Sequence, residues 1–210
     1  MNSPGGSPVQ SSIINNEILR LKKVFPKKPI YVVVEDMCLS GCYYIAVAAD
    51  KIYVNKSSIV GSIGVLMNGF GFTGLMKKFG IERRLLTAGE NKAFLDPFSK
   101  QKSNHIKHIS LMLNEIHQQF IEAVRMGRGG RLKETKDTFS GLFWVGTKAL
   151  SFGLVDDELP TDQKLYINFN DQEVLAMFHY QNLVGIQFHP ERSGELGLEL
   201  LSSIVEEFKV

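Results

Sequence analysis

Residues 30–46, IYVVVEDMCLSGCYYIA, decide the fold class of this chain. The run at residues 30–34 is continuous, β-branched and aromatic, which is typical of a strand buried on both faces of a mainly parallel sheet. The Ala-rich residues 43–49 predict a buried helix. A helix is also predicted ahead of the strand, because Ser7, Pro8 and Gln10 form an N-terminal capping signature. The order helix, strand, helix indicates the α/β class.

Further elements follow from hydrophobic spacing and from Gly and Pro breaks. The clearest is a long amphipathic helix at residues 104–126, with Ser103 as its cap. Strands are predicted at residues 51–54, 59–66, 83–87, 165–169, 174–178 and 184–188, and further helices at residues 75–79, 146–153 and 195–208.

Composition and charge limit the function classes. The 210 residues are 44% hydrophobic and 22% charged, which suits one or two globular domains. No stretch approaches the ~20 apolar residues of a membrane span, and the first residues lack a secretory signal, so we expect a cytoplasmic chain as encoded. The lysines occur as scattered pairs without interleaved aromatic residues, so nucleic-acid binding is not expected.

The charge changes sign along the chain. Residues 1–157 carry 21 basic and 13 acidic side chains, whereas residues 158–210 carry 3 and 9. This break predicts two units, residues 1–157 and residues 158–210.

Cysteine and histidine usage gives no metal site. Cys38 and Cys42 cannot build a four-ligand zinc site by themselves, and we expect both to be buried as small hydrophobic residues. His105, His108 and His117 lie on the long helix, but no carboxylate completes a ligand set. We therefore expect neither a metal nor a cofactor.

Ser40 lies where a central strand is followed by a helix, a position that can expose a nucleophilic hydroxyl beside backbone amides. A serine there is also often only a helix cap, so the position alone leaves both roles open. No histidine occurs before residue 105, which leaves a lysine as the candidate base. Lys92 is followed by the apolar residues 93–95 and 97–98, which could desolvate an ammonium group, although an ordinary loop lysine would look the same.

Five motifs resemble, in order and spacing, those of the signal peptide peptidase A (protease IV) family. They are residues 2–7 (NSPGGS), 38–46 (CLSGCYYIA), 49–52 (ADKI), 61–65 (GSIGV) and 88–92 (AGENK). The resemblance runs from Asn2 to about Asp157. It implies a crotonase/Clp protease-like fold and a serine endopeptidase with a Ser/Lys dyad that cleaves signal-peptide-like or membrane-associated peptides without a cofactor.

The resemblance also implies roles for individual residues. Ser40 would be the nucleophile, Lys92 the general base and Ser62 the hydroxyl that holds the lysine amine. The amides of Gly41 and of Gly6 or Gly5 would form the oxyanion hole. Short members of the family assemble as homo-oligomeric rings in which neighbouring subunits complete each other's site. A groove for apolar peptides would include Leu66, Met67, Phe70 and Phe72, each of which could equally be core.

Three departures from the family pattern lead to further expectations. Leu39 and Cys42 stand where relatives have small residues, so we expect them to narrow the oxyanion hole or tilt the turn. The chain begins on the Ser-Pro-Gly-Gly motif, so we expect an N-terminally truncated fold in which Gly5 and Gly6 fray. Membrane association would then require a missing N-terminal segment, since full-length relatives are membrane-anchored.

The third departure is the tail. Residues 184–197 resemble the end of class I glutamine amidotransferases, most closely the glutaminase subunit of imidazole glycerol phosphate synthase. That resemblance makes His189 and Glu191 partners of a catalytic cysteine, but the tail contains no cysteine. We therefore expect residues 158–210 to be a small α/β fragment fused to the peptidase-like unit.

Three alternatives to an active peptidase remain. The chain could be a catalytically inactive scaffold or fusion fragment with an incomplete groove. It could serve as a glutamine amidotransferase subunit, or it could bind acyl-CoA as crotonase-type enzymes of the same fold do.

Overall fold

The computed structural model describes residues 1–159, the backbone of residues 164–169, 172–180 and 183–186, and Glu199. Helices and strands alternate through the first of these ranges, so the predicted α/β class is confirmed. In chain order the elements are α1 (Pro8–Val24), β1 (Tyr31–Val34), β2 (Met37–Leu39), α2 (Gly41–Ala46), β3 (Lys51–Val54), β4 (Ile59–Gly61), α3 (Thr73–Lys78), α4 (Ser103–Arg128), a 3-10 turn (Gly129–Arg131), β5 (Phe143–Val145), α5 (Gly146–Ser151), β6 (Asp157–Glu158), β7 (Lys164–Phe169), β8 (Gln172–Tyr180) and β9 (Leu183–Ile186).

The strands form three small sheets. The first has the order β1-β3-β6 and is parallel throughout. In the second, β2-β4-β5, the β2–β4 pair is parallel and β5 runs antiparallel to β4. Strands β7, β8 and β9 make a separate antiparallel meander, in agreement with the three strands predicted in the tail.

The main core lies among the first two sheets, α2, α4 and α5. Val32 and Val34 of β1 are buried in it, whereas Tyr31 and Val33 on the opposite face are only half-buried, against Tyr53 and Leu159. The expectation that β1 is buried on both faces is therefore wrong, because a smaller cluster covers its second face incompletely.

Helix α1 begins as its sequence predicts. Ser7 is the N-cap, its side chain accepts a hydrogen bond from the Gln10 amide, and Pro8 occupies the first helical position. The helix is held on α2 by polar groups, since Asn15 Nδ2 donates to Tyr44 O at 2.7 Å and Ser11 is buried. This packing fixes the direction from which the N-terminal loop reaches Ser40.

The N-terminal residues do not fray, contrary to the expectation. Ser3 N donates to Met37 O at 2.9 Å and Leu39 N donates to Ser3 O at 3.1 Å, so this segment runs parallel to β2. The Asn2 amide adds a hydrogen bond to Asp36 at 2.9 Å. The backbone pairing holds Gly5 and Gly6 in place, because they follow directly on the paired residues.

Three predictions of local structure are wrong. The strand predicted at residues 59–66 ends at Gly61, since Ser62 adopts a positive φ of 53°. No strand forms at residues 83–87, which are all exposed. The cap of α4 is Lys102 rather than Ser103, and its side chain makes no capping hydrogen bond.

The C-terminal end of α4 is fixed by close packing and by a buried ion pair. A Cβ atom on Gly127 would lie 2.0 Å from Val47 O, so α4 can approach α2 only with glycine at this position. Arg128, 1% exposed, donates hydrogen bonds to Asp156 from Nη1 and Nη2, at 2.8 and 3.0 Å. Arg131 also reaches Asp156, at 2.8 Å.

Candidate active site

Ser40 occupies a strained turn between β2 and α2. Its φ of 51° and ψ of −121° are unusual for a residue with a Cβ atom, and it caps α2 without a side-chain hydrogen bond. Its backbone holds the turn, because Ser40 N donates to Gly61 O at 2.9 Å and Ser40 O accepts from Tyr44 N at 2.9 Å. Ser40 is half-buried, and its hydroxyl makes no capping hydrogen bond to α2.

Gly5 packs directly against this serine. A Cβ atom on Gly5 would lie 2.9 Å from Ser40 Cβ and 3.3 Å from Ser40 Oγ. Its φ of 132° is in addition a conformation that favours glycine. The N-terminal loop therefore forms one wall of the space in front of the hydroxyl.

The backbone amides of Gly6 and Gly41, both near Ser40, have no acceptor among the described residues. They lie near each other, since a Cβ atom on Gly41 would be 3.1 Å from Gly6 N. The Gly5 amide instead donates to Ser3 Oγ at 3.2 Å. Of the two glycines considered for the oxyanion hole, Gly6 is therefore the one with an available donor.

Ser62 lies beside Ser40 because their strands are neighbours. Strands β2 and β4 pair in parallel with Leu39 opposite Gly61, so the residues that follow them leave the same edge of the sheet. Ser62 is half-buried, has a φ of 53°, and its amide donates to Leu142 O at 2.8 Å.

Lys92 is not joined to these residues. It ends an exposed turn in which its amide donates to Gly89 O at 3.2 Å. Within residues 1–159 its side chain makes no hydrogen bond to Ser40 or Ser62. The structure thus brings together Ser40, Gly5, Gly6, Gly41 and Ser62, and no described hydrogen bond links Lys92 to either serine.

Leu39 and Cys42, on either side of the Ser40 turn, are interior residues. Both are buried, with exposures of 9% and 4%, and Cys42 belongs to the main core. Cys38, two residues before Ser40, is buried and, like Cys42, free of a disulfide, as expected from the sequence. The pKa of the Cys38 thiol is raised, by its hydrogen bond with Cys42 and by burial.

An exposed apolar segment begins a few residues after β4 of the second sheet. We name residues 66–98 the apolar arm. Together with α4 it encloses a cavity of about 640 Å³. Its exposed large apolar side chains are Leu66, Met67, Phe70, Phe72, Leu75, Phe79, Ile81, Leu85, Leu86 and Phe98, which include all four groove residues considered from the sequence.

Sequence reasoning missed several residues that shape the site. Ser11 limits the space at Gly41, where a Cβ atom would lie 2.5 Å from its Oγ. The Ser3 hydroxyl oxygen accepts the hydrogen bond of the Gly5 amide. His105 and His117 contact the segments that carry Lys92 and Ser62. Only the histidines gave a signal, as polar side chains on an amphipathic helix.

The remaining expectations concern metals, membranes and the tail. In the portion the structure describes, no group of three His, Cys, Asp or Glu side chains is arranged to hold a metal ion. No helix there has the length and apolarity to cross a bilayer. His189 and Glu191 lie outside the described residues.

The sequence profile of peptidase family S49 matches residues 22–170 of the chain. The chain belongs to family S49. This family of serine peptidases includes the signal peptide peptidase A enzymes to which the five motifs pointed.

Individual curated relatives match about three quarters of the chain. A Brucella melitensis protein named Na⁺/H⁺ antiporter NhaA is 51% identical over 74% of the chain and 21% of its own length. A Methanocaldococcus jannaschii protein named as a protease is 36% identical over 75% and 50%. Protease 4 of Haemophilus influenzae is 31% identical over 75% and 25%. The chain thus spans between about a fifth and a half of these curated relatives.

A solved structure of similar topology is a membrane-bound stomatin-specific protease with a bound substrate peptide. It is 16% identical, with a TM-score of 0.36 over 83% of this chain and 69% of that protein. The S49 match and the described helices and strands carry the α/β assignment.

Proposed function

We propose that the chain acts as a serine endopeptidase in which Ser40 is the nucleophile and Lys92 the general base. The observation that carries this proposal is the geometry at Ser40, a strained strand-to-helix turn bordered by two amides without protein acceptors. Strain held in place by surrounding structure is common at reactive residues. Membership of family S49 supports the same reaction.

The reaction would proceed through an acyl-enzyme. Ser40 Oγ attacks the scissile carbonyl carbon while a neutral Lys92 amine takes its proton. The amides of Gly6 and Gly41 donate to the oxyanion of the tetrahedral intermediate. Lys92 then gives the proton to the leaving amine. Water, deprotonated by the Lys92 amine, attacks the carbonyl carbon of the acyl-enzyme, and the lysine returns this proton to Ser40 Oγ as the peptide acid leaves.

We propose further that Lys92 serves the Ser40 of a neighbouring copy in a ring. This accounts for its lack of a hydrogen bond to Ser40 or Ser62 within one chain. Lys92 lies near the end of the apolar arm. Single exposed apolar residues are normal on a protein surface, but the concentration of large apolar side chains along this arm is typical of an interaction surface. The Ser62 hydroxyl of the copy that contributes Ser40 would then form a hydrogen bond with the Lys92 amine of its neighbour.

The substrates would be apolar peptides of the signal-peptide type or other membrane-associated peptides. Met67 and Phe70 line the cavity beside α4, and Phe72 packs against Phe98 with ring centroids 5.5 Å apart. Such surfaces bind apolar side chains without a charged partner. No cofactor takes part in the proposed reaction.

A fluorophosphonate probe tests the nucleophile directly. We expect the full chain to be labelled on Ser40 and the label to disappear in Ser40→Ala. Ser57→Ala is the matched control, because Ser57 is an exposed turn serine, and it should label like the parent chain. Absence of labelling between pH 7 and 10 in a folded, assembled chain would contradict the proposal.

The separation of Lys92 from Ser40 also favours a second candidate, an inactive scaffold. In that case the chain would bind apolar peptides without cleaving them. Peptide binding measured by fluorescence anisotropy, together with absent labelling and absent cleavage, would identify this alternative.

A further inference from the structure

His105 is the most buried titratable side chain near the segment that carries Lys92. It lies in the first turn of α4, is 5% exposed, and its Nε2–H donates to Asn91 Oδ1 at 3.1 Å. Asn91 immediately precedes Lys92 and is itself exposed. The hydrogen bond therefore links a buried, rigid point of the helix to the backbone next to the proposed base.

The same imidazole also holds the other side of Lys92. Phe94 lies over His105 with ring centroids 4.6 Å apart and meets His108 edge-on at 5.6 Å. Lys92 is thus located between two residues that both contact His105. Within the turn, the Lys92 amide donates a hydrogen bond to Gly89 O at 3.2 Å and the Asp96 amide donates one to Ala93 O at 3.4 Å.

Helix α4 holds a second part of the proposed site through another histidine. His117 Nε2–H donates to Ile63 O at 3.1 Å, and Ile63 follows Ser62 directly. The two histidines are twelve positions apart on one helix, about 18 Å along its axis. One helix therefore fixes where a chain presents its lysine and where its own Ser62 lies.

We propose that His105 is a positioning residue for Lys92. This inference rests on the proposed function. The imidazole touches neither substrate nor reacting atoms. It acts through Asn91 and Phe94 by restricting the turn, so that the lysine amine is offered in one place. A misplacement of about 1 Å at a reacting group can reduce a rate by 10²-fold, so this restriction has kinetic consequences.

The test compares three substitutions in the full chain. His105→Leu removes the hydrogen bond and the ring, Asn91→Ala removes only the acceptor from an exposed position, and His105→Gln retains a donor. We expect the first two to lower the maximal rate of Ser40 labelling by about tenfold or more, with half-saturating probe concentrations within about twofold. His105→Gln should recover most of that rate.

Hydrogen exchange gives a readout that is independent of activity. The amide of Lys92 should exchange about tenfold faster in His105→Leu and Asn91→Ala than in the parent, while the amides of α1 stay unchanged. Asn114→Ala is the matched control, because Asn114 is an exposed asparagine of α4 nine positions after His105, and it should leave both readouts unaltered.

The outcomes separate this inference from the proposed function. Unchanged exchange and unchanged labelling in Asn91→Ala and His105→Leu would overturn the role of His105 while Ser40 chemistry stands. Faster exchange without a change in labelling rate would also overturn it, because the turn would then be fixed for stability alone. A parent chain that is never labelled refutes the proposed function, and exchange then still decides whether His105 holds the turn.

Discussion

Gly5 lies so close to Ser40 that a methyl group on it would be 2.9 Å from the serine Cβ atom. Main-chain atoms of the N-terminal loop therefore pack against the strained serine. A side chain at position 5 would force either the loop or Ser40 to shift. The space in front of the hydroxyl is therefore shaped by the backbone of the N-terminal loop, and that loop is held by the pairing of Ser3 with β2.

Gly5→Ala should reduce Ser40 labelling by about 10²-fold, because the added methyl displaces either the loop or the serine. The unfavourable φ of 132° should also cost about 1–3 kcal/mol of folding free energy. Labelling kinetics and urea unfolding measure the two effects. Gly130→Ala, where a Cβ atom meets nothing within 4 Å, is the control. Equal labelling of both variants would show that the loop does not shape the site.

Mixing two inactive variants tests whether Lys92 acts on a second copy. Ser40→Ala and Lys92→Ala should each lack peptidase activity. After joint refolding at equal amounts we expect about a quarter of the parent activity, since head-to-tail contacts then pair one intact serine with one intact lysine. A Ser40→Ala chain mixed with the double variant is the control and should stay inactive. No recovery in mixed rings would place the dyad within one chain.

Asp156→Asn should destabilise the fold strongly. Arg128 is 1% exposed, and removal of its partner charge leaves a buried cation unpaired, at a cost of about 3–5 kcal/mol. Urea unfolding at pH 7 measures this loss. Glu17→Gln, which removes an exposed pair with Arg20, should change little. A similar midpoint for both variants would contradict the structural role of Asp156.

The same carboxylate predicts sensitivity to acid. Burial by itself raises the pKa of Asp156, but Arg128, the Ile52 amide and Arg131 more than offset it and hold the pKa below its ordinary value. A depressed pKa contributes stability above the unfolded value of about 3.9, and this contribution is lost as the pH falls through the folded value. The urea midpoint of unfolding should therefore fall as the pH is lowered below about 4 in the parent chain, and it should fall less steeply in Asp156→Asn.

The two thiols should be unreactive in the folded chain. Cys38 and Cys42 are buried, and the pKa of Cys38 is raised by its hydrogen bond with Cys42 and by burial. Iodoacetamide at pH 8 should leave both unmodified in buffer and alkylate both in urea, as measured by intact mass. Rapid native alkylation would contradict the packing next to Ser40. Cys42→Ala should keep Cys38 protected if burial alone is sufficient.

The parts of the fold with strong local signals were predictable. Ser7 and Pro8 mark the start of α1, the apolar run at 30–34 marks β1, and the helical spacing marks α4. Residues 83–87 gave a strand-like pattern too, but none of the strands that the structure describes pairs with them. Their exposure shows that β-propensity alone does not form a strand without a partner.

The candidate site was predictable only in part. The motifs located Ser40, Ser62 and the glycines, and pairing of β2 with β4 brings them together. The choice of Gly6 over Gly5 depends on a hydrogen bond from Gly5 N to Ser3 Oγ, which no pattern in the sequence reveals. The contact of His105 with Asn91 is equally a product of tertiary packing.

The approach of Gly127 to the Val47 carbonyl has a consequence for any saturation-mutagenesis survey of this chain. Position 127 should accept no replacement, and in a selection for growth or cleavage it would score as severely as Ser40. Variants at position 127 would lose activity because little folded protein accumulates, whereas Ser40 variants would accumulate normally and lack activity. Scores for abundance and for turnover, collected side by side, are what would tell a packing requirement from a chemical one.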